Sequence, residues 1–317
     1  MWLHRKTMRV VAVLLPAGML CSCAADPFGA PDLRDYQTTI ELADTPFFPQ
    51  EDYQCGPAAL ATVLLDSGVD VDAAELIRKV YVPARQGSMQ PELLAASRAY
   101  ERIPYIIAPE FAALIAEVTA GRPVLVLQNL GVAAVPVWHY AVVIGYSASA
   151  GEVILRSGTE RRRVTRAKVF ERTWQRSDSW GMIALRPGEL PASATTERYL
   201  RAVAAVESIG RFDLAVPAYQ AALRRWPDSR LAYLGLGNAA WGMQQPADAE
   251  RWYRHALDVE PGDSTTLNNL ATVVAAQGRC DEAATLMQRA IDTATGHDAM
   301  LAILQQSRLE MQSCVPE

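Results

Sequence analysis

The last third of the chain repeats itself at a fixed interval. Ala215, Ala249 and Ala283 are 34 residues apart, and so are Ala222, Ala256 and Ala290. Tyr219 and Tyr253 lead at the same interval to Met287, and Pro227 leads to Pro261. A period of this length holds a pair of helices, with small residues where they cross closely and a proline ending the second. One pair cannot bury its own apolar stripe, so neighbouring pairs must stack into a curved array with a concave face.

This pattern resembles the tetratricopeptide repeat. It covers about Glu197 to Thr295 as three repeats, with Asp298 to Met311 as a capping helix, so that residues 197–317 form an all-α solenoid. The first-helix signature is partial, as in Leu236-Gly237, and absent from the first repeat. What the resemblance implies is a protein partner held by the array, of unspecified identity.

The chain begins differently. Arg5, Lys6 and Arg9 precede an apolar run from Val10 to Leu20, which is too short to span a bilayer and ends in Cys21-Ser22-Cys23. The segment resembles a bacterial lipoprotein signal over residues 1–22, with Leu20 and Ser22 placed for cleavage before a lipidated Cys23. In that family the absence of Asp after the cysteine implies the outer membrane, and Ala24 follows here. The expected location is therefore the cell envelope, lipid-anchored and facing the periplasm, with the membrane touched through the anchor alone. Residues 23–39, rich in Asp, Pro, Gly and Ala, read as a flexible tether. Removal of the signal leaves 27 Lys and Arg against 35 Asp and Glu. An acidic balance of that kind argues against general nucleic-acid binding.

Residues 40–186 read as an α+β domain, followed by a Pro/Ala/Ser/Thr linker at 187–196. Helical patterns come first, up to Thr119. Short β-branched or alternating runs follow: Pro123–Asn129, Trp138–Tyr146, Glu152–Ser157 and Gly181–Arg186. Arg161, Arg162, Arg163, Arg166 and Lys168 form a basic run expected at a solvated hairpin edge.

Between Ala24 and Pro191 there is one cysteine, Cys55, and one histidine, His139, 84 residues further on. That pair is too few for an ordinary zinc site, so no metal or cofactor is expected. Cys55 precedes Gly56-Pro57 and an apolar helix-forming run, which puts the thiol in the first turn of a helix, where the positive end of the macrodipole favours thiolate. His139 lies on a strand. A thiol at a helix N-terminus facing an imidazole on a sheet is the thiolate–imidazolium arrangement of cysteine peptidases. Gln50 and Gln54 stand upstream as donors to an oxyanion.

The elements QxxxQCGPAALATVL and WHYAVVIGY, with Phe170 and Trp174 downstream, resemble the bacteriocin-processing, double-glycine peptidases among the papain-like cysteine peptidases. The similarity runs from about Leu42 to Leu185. It implies a papain-like fold, Cys55 as nucleophile, His139 as general base and then acid, and Gln50 with the Cys55 backbone N–H as the oxyanion hole. The family's Asp that orients the histidine has no counterpart: the position reads Arg156-Ser157-Gly158-Thr159. Ser157 is the candidate third member, with Glu160 and Asp178 as substitutes.

Family members that mature bacteriocins are fused to ATP-driven transporters, whereas this sequence has neither a membrane span nor a phosphate-binding loop. Double-glycine leaders are therefore not the expected substrate. The expected activity is hydrolysis of a peptide or isopeptide bond in an envelope protein through a Cys55 thioester. The alternatives are an inactive peptidase-like scaffold and a cysteine-dependent acyl transferase. Cys280 and Cys314 remain, and in an oxidising compartment they could staple the last repeat to the tail.

Overall fold

The computed structural model describes residues 36, 38–49, 54–311 and 314. The Cys23 and Gln50 expectations fall outside these residues.

Strand side chains alternate between faces, and the sheet sorts them into two cores. On β3 (Val124–Asn129) and β4 (Trp138–Ser147), Leu125, Tyr140, Val142 and Ile144 join one core, while Val124, Val126, Ala141 and Val143 join the other. The remaining strands are β1 (Thr39–Glu41), β2 (Ile103–Ile106), β5 (Glu152–Ser157), β6 (Glu160–Arg166) and β7 (Gly181–Leu185). Their order is β2-β7-β3-β4-β5-β6, every pairing antiparallel, with β1 on the far end of β4. Tyr36, ahead of β1, is already packed: its ring meets Tyr146 edge-on at 6.0 Å.

One face is covered by α1 (Cys55–Asp66), α2 (Ala73–Val80) and α3 (Gln90–Ala99). Helix α1 is apolar nearly all round, as a helix buried on most sides must be. The Asp72 carboxylate caps α2 by accepting from the backbone N–H groups of Ala74 and Glu75. The other face is covered by α4 (Phe111–Thr119), α5 (Ala167–Gln175) and α6 (Thr196–Glu207). Helix α5 was not expected from the sequence; Phe170 and Trp174, one turn apart, stack at 5.9 Å and anchor it in the core. The basic run divides between β6, exposed at the sheet edge, and the start of α5, which takes Lys168.

The segment read as a linker is strapped down. Glu117, fully buried, accepts from Arg122 Nε at 2.8 Å and from the Ser193 N–H and hydroxyl at 2.7 and 2.6 Å. Tyr105 and Tyr199 donate their hydroxyls to the Ser193 and Glu189 carbonyls. Tyr199, Leu200 and Val203 of α6 share a core with Ile103 and Tyr105 of β2, so apolar packing runs continuously from the sheet into the first repeat. The expected linker is a joint because the Ser193 hydroxyl and backbone groups of the segment find buried partners, and the helix after it has an apolar face for the sheet.

The repeats are α6/α7 (Phe212–Arg225), α8 (Arg230–Gly242)/α9 (Pro246–Val259) and α10 (Ser264–Ala276)/α11 (Cys280–Thr293), followed by α12 (Asp298–Glu310). The periodic alanines are buried. The tyrosines explain the glycines: a Cβ on Gly235 would lie 2.2 Å from the Tyr219 ring, and one on Gly237 would lie 2.3 Å from that of Tyr253. A disulfide joins Cys280, the first residue of α11, to Cys314.

Candidate active site

Cys55 is the first residue of α1, and its N-cap, Gln54, gives no side-chain cap. The Cys55 and Gly56 N–H groups of that turn have no acceptor within the helix, and the positive end of the helix macrodipole lies at the thiol. Cys55 is free and half-buried. The next residue has to be glycine, because a Cβ on Gly56 would stand 2.5 Å from Ser88 Cβ. Ser88 comes from the segment between the 3-10 turn Pro83–Arg85 and α3, closed by a bridge between Val82 and Gly87. This close approach fixes one wall of the site against the nucleophile.

His139 is the second residue of β4, and Ser157 ends β5. The His139 Nε2 to Ser157 Oγ distance is 2.9 Å, which orients the ring and leaves Nδ1 as the other nitrogen. The two alternative acids do not take that place. Glu160 pairs with Arg163 at 3.5 Å, and Asp178 lines the cavity without a hydrogen bond to His139. Asp178 and Ser179 both have left-handed backbone, φ 55° and 50°. Their turn is held by the Ser177 hydroxyl on the Trp174 carbonyl at 2.6 Å and by Trp174 Nε1 donating to the Trp180 carbonyl at 2.8 Å. Gln54, the other glutamine before the thiol, serves as the N-cap residue.

Cys55, Ser88, Trp138, His139, Tyr140 and Asp178 line one open cavity of about 930 Å³. The chain thus brings Cys55 and His139 to the same cleft from the first turn of a helix and the start of a strand. The electrostatics differ from the expected ion pair. Burial, reinforced by the Arg163 guanidinium, holds the His139 imidazole down at about 4, so the ring is neutral near pH 7. The thiolate–imidazolium expectation is corrected accordingly: burial and the nearby cation favour the neutral form of a ring whose Nε2 is bonded to a hydroxyl. Sequence reading missed the part played by Arg163, which looked like one of several solvated arginines. It also passed over Ser88 and Tyr140, since neither carries a spacing signal.

The fold and site define a class: an antiparallel sheet between helices with a cysteine and a histidine in one cleft, followed by a helical repeat array. More particularly, residues 42–182 match the profile of the Peptidase_C39 like family, and residues 199–258 and 234–298 match that of the Tetratricopeptide repeat. The N-terminal region is thus a C39-like peptidase domain, and it is followed by tetratricopeptide repeats. Among solved structures, a putative C39-like peptidase from Bacillus anthracis is 17% identical, with 47% of this chain and 98% of that one covered at a TM-score of 0.41. The peptidase domain of Streptococcus ComA, a bi-functional ABC transporter, is 18% identical over 45% of this chain and 98% of its own, TM-score 0.36. MamA from Desulfovibrio magneticus RS-1 is 18% identical over 42% of this chain and 67% of its own, TM-score 0.31. No curated protein matches the chain significantly.

Proposed function

We propose that the protein is a cysteine peptidase acting on a protein of the bacterial envelope, with the repeats recruiting that substrate and a lipid on Cys23 holding the enzyme at the periplasmic face of the outer membrane. The observation that carries this reading is the shared cleft: the first residue of α1 is a thiol, and His139, oriented by Ser157 at 2.9 Å, lines the same cavity. The neutral imidazole makes His139 a general base. As Cys55 Sγ attacks the substrate carbonyl carbon, its proton passes to His139. The tetrahedral adduct then collapses, the C–N bond breaks, and His139 returns the proton to the leaving amine. Water, deprotonated by His139, attacks the thioester, releases the carboxylic acid and restores the thiol. Ser157 orients the ring without supplying charge, which reduces the rate compared with a carboxylate but leaves the route intact.

The lack of a carboxylate on His139 favours one second reading, a binding scaffold without turnover. Iodoacetamide labelling of Cys55 across pH, in the full chain and in His139→Ala, separates the two. A peptidase in which His139 takes the thiol proton requires His139→Ala to slow the labelling of Cys55 at neutral pH. Labelling at the free-thiol rate or below, unchanged in His139→Ala, would sink the catalytic reading.

A further inference from the structure

Tyr140 stands beside His139 in sequence but, one residue along the strand, belongs to the other face of the sheet. Its ring is 4% exposed, meets Trp180 edge-on at 6.0 Å and lies against the first turn of α1, where a Cβ on Gly56 would be 3.5 Å from Tyr140 Cδ2. Buried tyrosines normally place the hydroxyl on an acceptor. Tyr105, Tyr199, Tyr219 and Tyr253 all do so, on Ser193, Glu189, Glu207 and Asn238. The Tyr140 hydroxyl makes no hydrogen bond among the described residues, and Tyr140 lines the cavity that contains Cys55. Burial, with Cys55 and Glu92 near enough to add to it, pushes its ionisation well above the ordinary tyrosine range. The group therefore remains a neutral O–H, able to donate, throughout the pH range in which the protein could work.

We propose that the Tyr140 hydroxyl is a substrate-binding donor of the cleft, giving its hydrogen bond to a carbonyl oxygen on the acyl side of the bond that Cys55 attacks. This rests on the peptidase reading and names its ligand chemistry: a polypeptide backbone carbonyl, which needs no particular side chain. The O–H borders the cleft and meets no protein acceptor among the described residues, so its bond to substrate is formed only in the complex and favours the acylating geometry. A phenylalanine at this position would keep the ring's contacts with Trp180 and α1 and lose the donor alone.

The test compares two electrophiles on one thiol in the full chain. Iodoacetamide alkylates Cys55 by displacement and presents no peptide backbone in extended register. Acetyl-Gly-Gly chloromethyl ketone places backbone carbonyls in the cleft and imposes no side-chain requirement. In Tyr140→Phe the iodoacetamide rate should stay within about twofold of wild type, and the chloromethyl ketone rate should fall at least roughly tenfold, as expected for loss of a buried donor to a reacting substrate. If both rates are unchanged, Tyr140 is packing only and the assignment is wrong while the peptidase reading stands. If His139→Ala leaves the rates of Cys55 with both reagents unchanged, the peptidase reading fails and this assignment with it.

Discussion

The sheet region and the repeat array achieve close packing by different means. In the array, each joint is a local repeat of the last: Gly235 receives Tyr219, Gly237 receives Tyr253, and alanines 34 residues apart fill equivalent crossings. Every contact of this sort is made between neighbouring helices. In the sheet region the cleft is assembled once, from Cys55 on α1, Ser88 before α3, His139 on β4 and Ser157 on β5. The array therefore tolerates damage in part, since stability there approximates a sum over repeats and interfaces. The cleft has no such redundancy, since each of its members is supplied once.

The largest contrast should come from Cys55→Ser. Hydrolysis by the intact chain should fall by about 10⁴-fold or more, because the nucleophile and its base act as a unit. The thermal melt should stay near that of the wild type, and the array should still bind whatever it binds. A substantial residual rate, measured by mass spectrometry of the products, would place the chemistry elsewhere. Second in size is the disulfide between Cys280 and Cys314, which closes a separation of 34 residues. On the chain-entropy account its reduction should cost about 3 kcal/mol or somewhat more. Hydrogen exchange should show that cost as opening of α11 and α12 with β3 and β4 still protected. Equal loss of protection in the sheet would overturn the picture of a locally built array.

Gly237→Ala tests the same contrast at smaller amplitude. The added methyl would meet the Tyr253 ring at 2.3 Å, and that ring has little freedom because its hydroxyl donates to Asn238 Oδ1 at 2.9 Å. Overpacking of this kind should cost about 1–3 kcal/mol in the array, read as a lower melting temperature, while the rate of Cys55 alkylation stays unchanged. A slower alkylation would show that the shared core through α6 transmits strain to the cleft.

These differences also explain how far the sequence could be read. Period and composition identified the repeats because each element there serves a neighbour at fixed spacing. The helix start at Cys55, the strands and the Cys55–His139 pair were legible for similar reasons: Gly-Pro after the thiol, β-branched runs, and the scarcity of both residue types. Helix α5 was missed because Arg166 gives no side-chain cap and the basic run disguised its buried face, Phe170 and Trp174. Ser157 could be nominated but not distinguished from Glu160, since only the fold sets the Ser157 hydroxyl 2.9 Å from His139 Nε2 and leaves Glu160 paired with Arg163. The protonation of His139 was not legible because its causes, burial of the ring and the nearby Arg163 guanidinium, arise from tertiary packing and leave no local spacing signal. The strap from Glu117 to Ser193 joins residues 76 apart and leaves no local trace in a Pro/Ala/Ser/Thr segment.

The smallest expected effect is also the sharpest on the cleft. Ser157→Asp would put an acceptor carboxylate where a hydroxyl now sits 2.9 Å from His139 Nε2. In the wild type, His139 is held at about 4, below its ordinary 6.5. Between those values the unfolded chain binds the proton that the folded chain refuses, so the His139 contribution destabilises the fold as pH falls through that window. An aspartate favours the imidazolium, and a close opposite charge raises such a value by about one unit or more. The His139 ring signal in proton NMR, assigned by its absence in His139→Ala, should then titrate at least about one unit higher, and Cys55 alkylation at pH 5 should rise several-fold as thiolate pairs with the charged ring. A His139 titration that stays near 4 in Ser157→Asp would mean that burial and Arg163 dominate over the third residue. The cleft would then be set by the desolvated environment of the ring, not by its strand neighbour.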